Sequence, residues 1–304
     1  MRLCAISVDL DEIPNYHAIH GLAPPVAPGA TAVYDVALPR LYDWAVAEGV
    51  PLTLFTIGED VARAENSAQL RIAVAKGHEI GNHSFAHLYD LTRQDRDEMQ
   101  RQVEGGAGAI RDAVGVTPTG FRAPGYTFTD ALHGVLLDSG VAYDSSVFPC
   151  APYYLAKAAV LLGMRIRGRT SRSVLDTPQV LRAPTRPYRV GRPYWKRGHG
   201  ILELPVQVTR GLRLPFIGTT ITLAGPDWAR RLARLVLGEP LVNLELHGMD
   251  VLDAEDGLSA LEGHQTDVSI RHLRKLEALS AVIGVLRREG YAFVRLDEAA
   301  ARFA

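Results

Sequence analysis

The sequence predicts an α/β fold: a closed or nearly closed barrel of repeated strand–helix units with about seven parallel strands. Three observations point there. Short apolar runs alternate with longer helical segments from the first residues onward, and parallel neighbours need such crossovers. Glycines stand where most of the helical segments stop. Acidic residues, histidines and an arginine gather just after the predicted strands, the end at which barrel enzymes carry their chemistry. A chain of 304 residues suits one large barrel with an insertion better than two domains, since such barrels commonly run to roughly 250 residues.

In chain order, Leu3 to Val8 reads as the first strand and Asp35 to Glu48 as a helix stopped by Gly49. Leu52 to Ile57 is the second strand, followed by a helix over Ser67 to Lys76 that ends at Gly77. His78 to Gly81 is short and extended, and Asp95 to Val114 has helical periodicity up to Gly115. Gly120-Phe121 leads into a turn at Pro124-Gly125, with a helix over Asp130 to Asp138 and a strand at Val141 to Tyr143. The pattern breaks over residues 151–200, read as an irregular basic insertion within a single domain spanning 1–304. It resumes with strand Ile201 to Val208, helix Pro226 to Leu237, buried strand Leu241 to Leu246, helix Ile270 to Arg288 and last strand Tyr291 to Val294.

An apolar fraction of 47% with 22% charged residues excludes a disordered chain, which lacks the side chains to offset its entropy. Two cysteines, Cys4 and Cys150, read as buried thiols rather than a disulfide. The start has no long apolar leader before Asp9, and no apolar run approaches the 18 residues of a membrane span; a cytoplasmic location is the expectation. The formal charge of −1 argues against a globally basic nucleic-acid binder, yet it is a sum of opposites. Between Lys157 and Arg213 stand thirteen Lys or Arg against Asp176 and Glu203, a net of +11, leaving −12 for the rest. This segment reads as a lid or rim for a phosphorylated sugar, nucleotide-sugar or lipid-phosphate-linked glycan, or as a peripheral contact with an anionic membrane. The alternative is that its arginines only pair with the acidic barrel helices.

Asp9 and Asp11 follow the first strand and, two residues apart, point to one side. They suit a metal ligand plus a general base, or a solvated acidic strand end. His83 and His87, four residues apart, would share a helical face and reach one cation. Two imidazoles and one carboxylate leave positions open for water and substrate. Arg122 follows the fourth strand, placed either to orient a carboxylate bidentately or as part of a structural turn. Asp144 and Ser145 either line the pocket or cap the next segment, and Pro124, Gly125 and Tyr126 are further pocket candidates. His247 closes the ring of polar strand ends, with Asp250 as a contact to substrate or metal site. His17 and His20 fall on a Pro- and Gly-rich loop over the site.

These pieces resemble the polysaccharide deacetylases (carbohydrate esterase family 4, the NodB-homology group). The matching stretches are Ser7-Val8-Asp9-Leu10-Asp11, Gly77 to His87, Phe121-Arg122-Ala123-Pro124-Gly125, Asp144-Ser145-Ser146 and Leu246-His247, in the family's order. The resemblance implies a distorted (β/α) barrel and one divalent metal on Asp11, His83 and His87, zinc first, with Co, Ni, Fe or Mn accommodated by the same ligands. It implies Asp9 as catalytic base, Arg122 as its orienting partner and His247 as catalytic acid. Leu10 separates two aspartates that are adjacent in the common form, a spaced variant. The fourth motif lacks the aromatic residue frequent in enzymes of long polysaccharides. The expected activity is hydrolysis of an N-acetyl or N-formyl amide on an amino sugar, small or lipid-linked. The alternatives are a non-sugar C–N bond in a cyclic amide or ureide, or a non-catalytic binding protein on this fold.

Overall fold

The apolar run that opens the chain forms β1 (Arg2–Asp9), buried over all but its first residue, as expected of a strand covered on both faces. In the computed structural model, which describes residues 2–25, 29–168, 171 and 173–304, β1 is the axis of a curled sheet. One edge of β1 pairs in parallel with β8 (Leu241–His247), from Leu3 opposite Leu241 to Asp9 opposite His247. The other edge pairs with β2 (Leu52–Thr56) near the mouth and with β9 (Tyr291–Phe293) near the base. The sheet continues from β2 through β3 (Glu79–Asn82), β4 (Gly120–Phe121), β5 (Tyr143–Asp144) and β7 (Arg197–Glu203), all parallel. A short antiparallel strand, β6 (Tyr188–Val190), covers the edge of β7.

Among the described residues the sheet therefore has nine strands, where about seven were expected, and it curls until its ends nearly meet. Beyond β7 the chain donates from Gln207 N to Asn243 O (3.1 Å). Asn243 Nδ2 donates back to the carbonyls of Leu204 (2.9 Å) and Pro205 (3.2 Å). Helices α2 (Leu38–Glu48), α3 (Ala64–Ala75), α4 (Arg96–Val114), α5 (Asp130–Asp138), α7 (Gly218–Arg234) and α8 (His272–Arg288) follow strands as crossovers, and α9 (Leu296–Phe303) packs under the base. Helices α1 (Ile13–His20) and α6 (Ala151–Ile166) follow the mouth ends of β1 and β5.

Period-two alternation sorts β1 into two rows. Cys4, Ile6, Val8 and Leu10 join the large core beneath α2, α7 and α8. Leu3 and Ala5 point into the curl, where Phe55, Tyr143, Leu202 and Leu241 fill the base. Further up that inner row stand Ser7 and Asp9. β8 repeats the plan, with Val242, Leu244 and Leu246 in the outer core and Leu241 in the base. The barrel is thus greasy below and polar above, and Leu10 separates the two aspartates because that position belongs to the outer core.

Several expectations are corrected. Residues 151–200 are not irregular: they contain α6, β6 and the start of β7. β7 begins at Arg197 rather than Ile201, because the pairing of Val190 with Arg197 extends it as a hairpin. It ends before Pro205, which has no N–H for the ladder. Helix α7 starts eight residues before Pro226, with Gly225 at φ 74° breaking it into two pieces. His17 and His20 lie on α1, not on a loop: His17 Nδ1 meets Ala23 O at 2.5 Å and His20 Nε2 meets Gln265 Oε1 at 3.2 Å. Of the basic segment, Arg186 and Arg210 engage Glu239 at 2.7 and 3.5 Å.

Near the base, Glu79 accepts from Thr53 Oγ1 (2.7 Å), Tyr143 Oη (2.7 Å) and Asp297 N (3.0 Å). Burial nevertheless dominates and pushes its carboxyl up to about 7. The unfolded chain then releases this proton first, near its ordinary value, so stability falls as pH rises from about 4.5 to 7. Glu79→Gln should flatten that slope by up to about 1.4 kcal/mol per pH unit in denaturant unfolding. An unchanged slope would contradict the assignment.

Candidate metal and catalytic site

Arg122, just after β4, is completely buried inside the curl and spends its guanidinium on neighbours from several strands. Nη1 donates to Asp9 Oδ1 (2.6 Å), Nη2 to Ser7 Oγ (2.9 Å) and Ser145 Oγ (2.8 Å), and Nε to Ser145 O (2.9 Å). The Phe55 ring lies 4.2 Å from its Cζ, in cation–π range. Asn243 Nδ2 in turn donates to Ser145 Oγ (2.9 Å). Asp9 is therefore held by one oxygen, and its Oδ2 lies 3.9 Å from His83 Nε2.

Asp11, His83 and His87 meet at the mouth, each offering an atom within 4.8 Å of the others. Asp11 Oδ1 lies 3.3 Å from His83 Nε2 and 3.2 Å from His87 Nε2. The histidines do not share a helical face as expected. Residues 83–87 form a loop in which Ser84 (φ 66°) and His87 (φ 50°) adopt left-handed backbone. Gly58 N donates to Ser84 O (2.9 Å) and Glu59 N to Phe85 O (2.8 Å), which ties the loop to the end of β2. Ala86 N donates to Gln102 Oε1 on α4 (2.8 Å). Gly106 lets α4 close on the loop, since a Cβ there would stand 2.4 Å from Asn82 Oδ1. His83 Nδ1 contacts Arg122 O at 2.7 Å; a carbonyl only accepts, so Nδ1 carries the proton and Nε2 faces the cluster.

This cluster fits a cation. Asp11 Oδ1 and both ring nitrogens of His87 are buried with no hydrogen-bond partner among the described residues, a costly arrangement that a metal would satisfy. Burial would raise the Asp11 carboxyl, but the neighbouring His87 and His83 outweigh it and hold it well below the usual range. A second grouping, Asp9 with Glu245 and His247, is as close. It is already largely charge-balanced: Asp9 Oδ1 is paired with Arg122, and His247 Nδ1 lies at an ion-pair distance of 2.9 Å from Glu245 Oε1, although both Glu245 oxygens lack a hydrogen-bond partner among the described residues.

His247 ends β8 beside Asp9. Burial would lower its pKa, yet the Glu245 carboxylate, followed by Asp11 and Asp9, raises it well above the ordinary histidine value. Asp250 Oδ2 accepts from His247 N (2.8 Å), under Gly218, where a Cβ would lie 2.0 Å from that oxygen. Lys275 Nζ clamps the following turn through Met249 O (3.0 Å) and Leu252 O (2.7 Å). A cavity of about 220 Å³ opens over His247, walled by Tyr16, Tyr126, Tyr153 and Ile217. Tyr126 Oη reaches His247 Nε2 at 3.5 Å, and the Tyr16 hydroxyl is buried without a partner among the described residues.

Of the expected pocket residues, Tyr126 lines this cavity and Gly125 O accepts from Lys157 Nζ (3.2 Å). Pro124 is buried in the turn before them. Three are corrected. Asp144 is fully buried, accepting from Ser146 N (3.0 Å) and Ser146 Oγ (2.7 Å) beside Glu203, whose carboxyl burial pushes well above the usual range. Ser145 is equally buried and serves Arg122. Asp250 holds the backbone of His247 rather than facing the cavity. The sequence reading missed Ser7, Tyr16, Asn243, Glu245 and Gly106. The alternation Asn243, Glu245, His247 inside a strand read as uniformly buried was the available signal.

Residues 32–143 match the family model for polysaccharide deacetylase, a stretch that takes in His83, His87 and Arg122. The peptidoglycan deacetylase of Helicobacter pylori is 29% identical over 160 residues, covering 50% of this chain and 53% of that protein. A chitooligosaccharide deacetylase of Sinorhizobium fredii is 34% identical over 124 residues, covering 38% and 56%. The chain thus spans about half the length of these curated relatives. A polysaccharide deacetylase structure from Mycobacterium smegmatis superposes with a TM-score of 0.59 at 18% identity, over 99% of this chain and 90% of that one; the likeness is one of fold.

The cluster makes a direct expectation. Chelator-treated protein should take up one Zn²⁺ or Co²⁺ per chain by calorimetry or Co²⁺ absorption. Asp11→Ala and His87→Ala should each weaken uptake by about 100-fold or more. Undiminished uptake in both variants would place the ion elsewhere.

Proposed function

We propose that this chain, whose residues 32–143 match the polysaccharide deacetylase family model, is a metal-dependent deacetylase of an N-acylated amino sugar. One observation carries the reading. A buried Asp11–His83–His87 cluster, in which Asp11 Oδ1 and the His87 ring nitrogens have no hydrogen-bond partner among the described residues, stands beside a carboxylate paired with an arginine and an imidazole paired with a carboxylate. That is the set of parts that amide hydrolysis needs: a cation site, a base and an acid.

Asp11, His83 and His87 would hold the cation, with zinc the first choice for two imidazoles and a carboxylate. When bound, such an ion supplies Lewis acidity, polarising the amide carbonyl and easing deprotonation of water. The chain's own residues do the rest. Asp9 accepts a proton from the attacking water, and the Arg122 contact to Oδ1 leaves Oδ2 to take it. His247, kept protonated by Glu245, donates its proton to the nitrogen as the C–N bond breaks, so the amine leaves neutral. Water's hydroxyl ends on the acyl carbon, and the products are a carboxylate and a free amine. Tyr16 offers a hydroxyl donor on the cavity wall, and Tyr126 and Tyr153 present the aromatic faces on which a sugar ring packs.

The relatives named above are deacetylases of peptidoglycan and of chitooligosaccharides. The small aromatic cavity over His247 favours one sugar unit bearing a short acyl group over an extended polymer, and the basic segment favours a unit carried on phosphate or lipid phosphate.

Acetate or formate release from zinc-loaded protein tests the reading, with N-acylated amino sugars as free, oligomeric and lipid-phosphate-linked substrates. Asp9→Asn should retain the metal and lose about 10²- to 10⁴-fold in kcat; full activity would remove Asp9 as base. The acid must be protonated, so activity falls as pH rises through the His247 pKa. Glu245→Gln removes the charge that raises that pKa, and the alkaline limb should move to lower pH. A limb that stays in place would assign it to another group.

A further inference from the structure

Helix α6 carries an apolar face that nothing in the described structure covers. None of its residues is buried. Leu155, Leu162 and Ile166 are 65, 59 and 76% exposed, and with Ala159 they fall at i, i+7, i+11 and i+4, one stripe of a 3.6-residue helix. Pro152, Ala156, Val160 and Gly163 flank the stripe, so this side holds no charged residue before Arg165. The opposite side fastens the helix to the domain. Tyr153 packs on Phe148 (4.9 Å) and Tyr126 (6.0 Å), and Lys157 Nζ donates to Gly125 O (3.2 Å). A turn bearing Leu212, 77% exposed, is joined to the start of α6 by Cys150 Sγ donating to Arg213 O (3.2 Å).

Charge accompanies this face. Arg165 and Arg167 are exposed at its C-terminal end, with no ion-pair partner among the described residues. Residues 151–202 hold eleven Lys or Arg and one acid, Asp176. At 16 residues, α6 is about 24 Å long, short of a span, and no helix among the described residues is long and apolar enough to cross a membrane. An aliphatic stripe without large aromatic anchors or a groove is unlike the centre of a protein interface, where Trp, Tyr and Arg dominate. Aliphatic side chains bordered by arginines are what a helix lying in a lipid interface presents.

We propose that the outer face of α6, with the arginines at its C-terminal end, docks on an anionic lipid bilayer. The aliphatic stripe enters the headgroup–acyl boundary and the arginines meet lipid phosphates. Because Tyr153 lies on the same helix and walls the cavity over His247, docking brings the site mouth to the bilayer surface. A headgroup-borne amino sugar would then be the substrate, a consequence that rests on the function proposed above; docking itself does not.

Co-sedimentation of the full chain with vesicles tests docking without any activity assay. The protein should bind phosphatidylcholine vesicles containing about one-third phosphatidylglycerol, ignore pure phosphatidylcholine, and release in high salt. Leu162→Asp/Ile166→Asp and, separately, Arg165→Glu/Arg167→Glu should each weaken binding by about tenfold or more, with the thermal midpoint and circular dichroism of the parent. No binding to mixed vesicles at low salt, or undiminished binding by the aspartate variant, overturns the proposal. So does a dimer in sedimentation velocity that the aspartate variant dissolves, since a second copy would then cover the face.

Discussion

The contact between Arg122 and Asp9 in the middle of the curled sheet organises most of what surrounds it. A guanidinium taken out of water is expensive unless its donors are used and a carboxylate lies close. Here they are used: Nη1 on Asp9, Nε on the Ser145 carbonyl and Nη2 shared between the Ser7 and Ser145 hydroxyls, with the Phe55 ring against the remaining surface. Those partners come from β1, β2 and the segment after β5. Through Ser145, Asn243 adds β8 and the carbonyls after β7. The same arginine thus helps join the two ends of the sheet and leaves Asp9 one free oxygen at the mouth. Its carbonyl also receives His83 Nδ1, so the proposed base and one prospective metal ligand are oriented by a single residue.

Above that contact the inner rows of β1 and β8 set out the chemistry in layers. Leu3 lies opposite Leu241 at the base, Ala5 opposite Asn243 and Ser7 opposite Glu245 in the middle, and Asp9 opposite His247 at the opening. The polarity gradient follows from closure. The base is sealed by α9 and filled by Phe55 and Tyr143, so apolar groups belong there. The upper layers can hold charge because each charge has a partner within about one layer, Asp9 with Arg122 and His247 with Glu245. Asp11, one step beyond the strand, lacks such a partner and meets His83 and His87 instead.

The histidine loop shows how a spacing can be right while its geometry differs. A helix would bring residues four apart onto one face, but the chain leaves β3 and turns through two left-handed residues, Ser84 and His87. That backbone persists because its carbonyls accept from Gly58 and Glu59, and because α4 reaches it through Gly106 and Gln102. These are contacts between segments far apart in the chain.

From the sequence alone came the class of fold, the alternation of strands and helices along the chain, and six residues that the structure places at the mouth: Asp9, Asp11, His83, His87, Arg122 and His247. They were legible because strand ends mark the mouth and because polar residues after apolar runs are conspicuous. The tertiary structure decided the division of labour. Asp144, Ser145 and Asp250 look like site residues by position, yet burial turns them into supports, and Glu245 emerged only once β8 lay beside β1 with its alternate side chains facing inward. α6 and β6 were also invisible in the chain, since a helix within a basic insertion has no partner until the fold supplies one. Local pattern determines which segments become strands and what ends them; which side chain finds a charge to neutralise, and which is left without, depends on neighbours that only folding brings together.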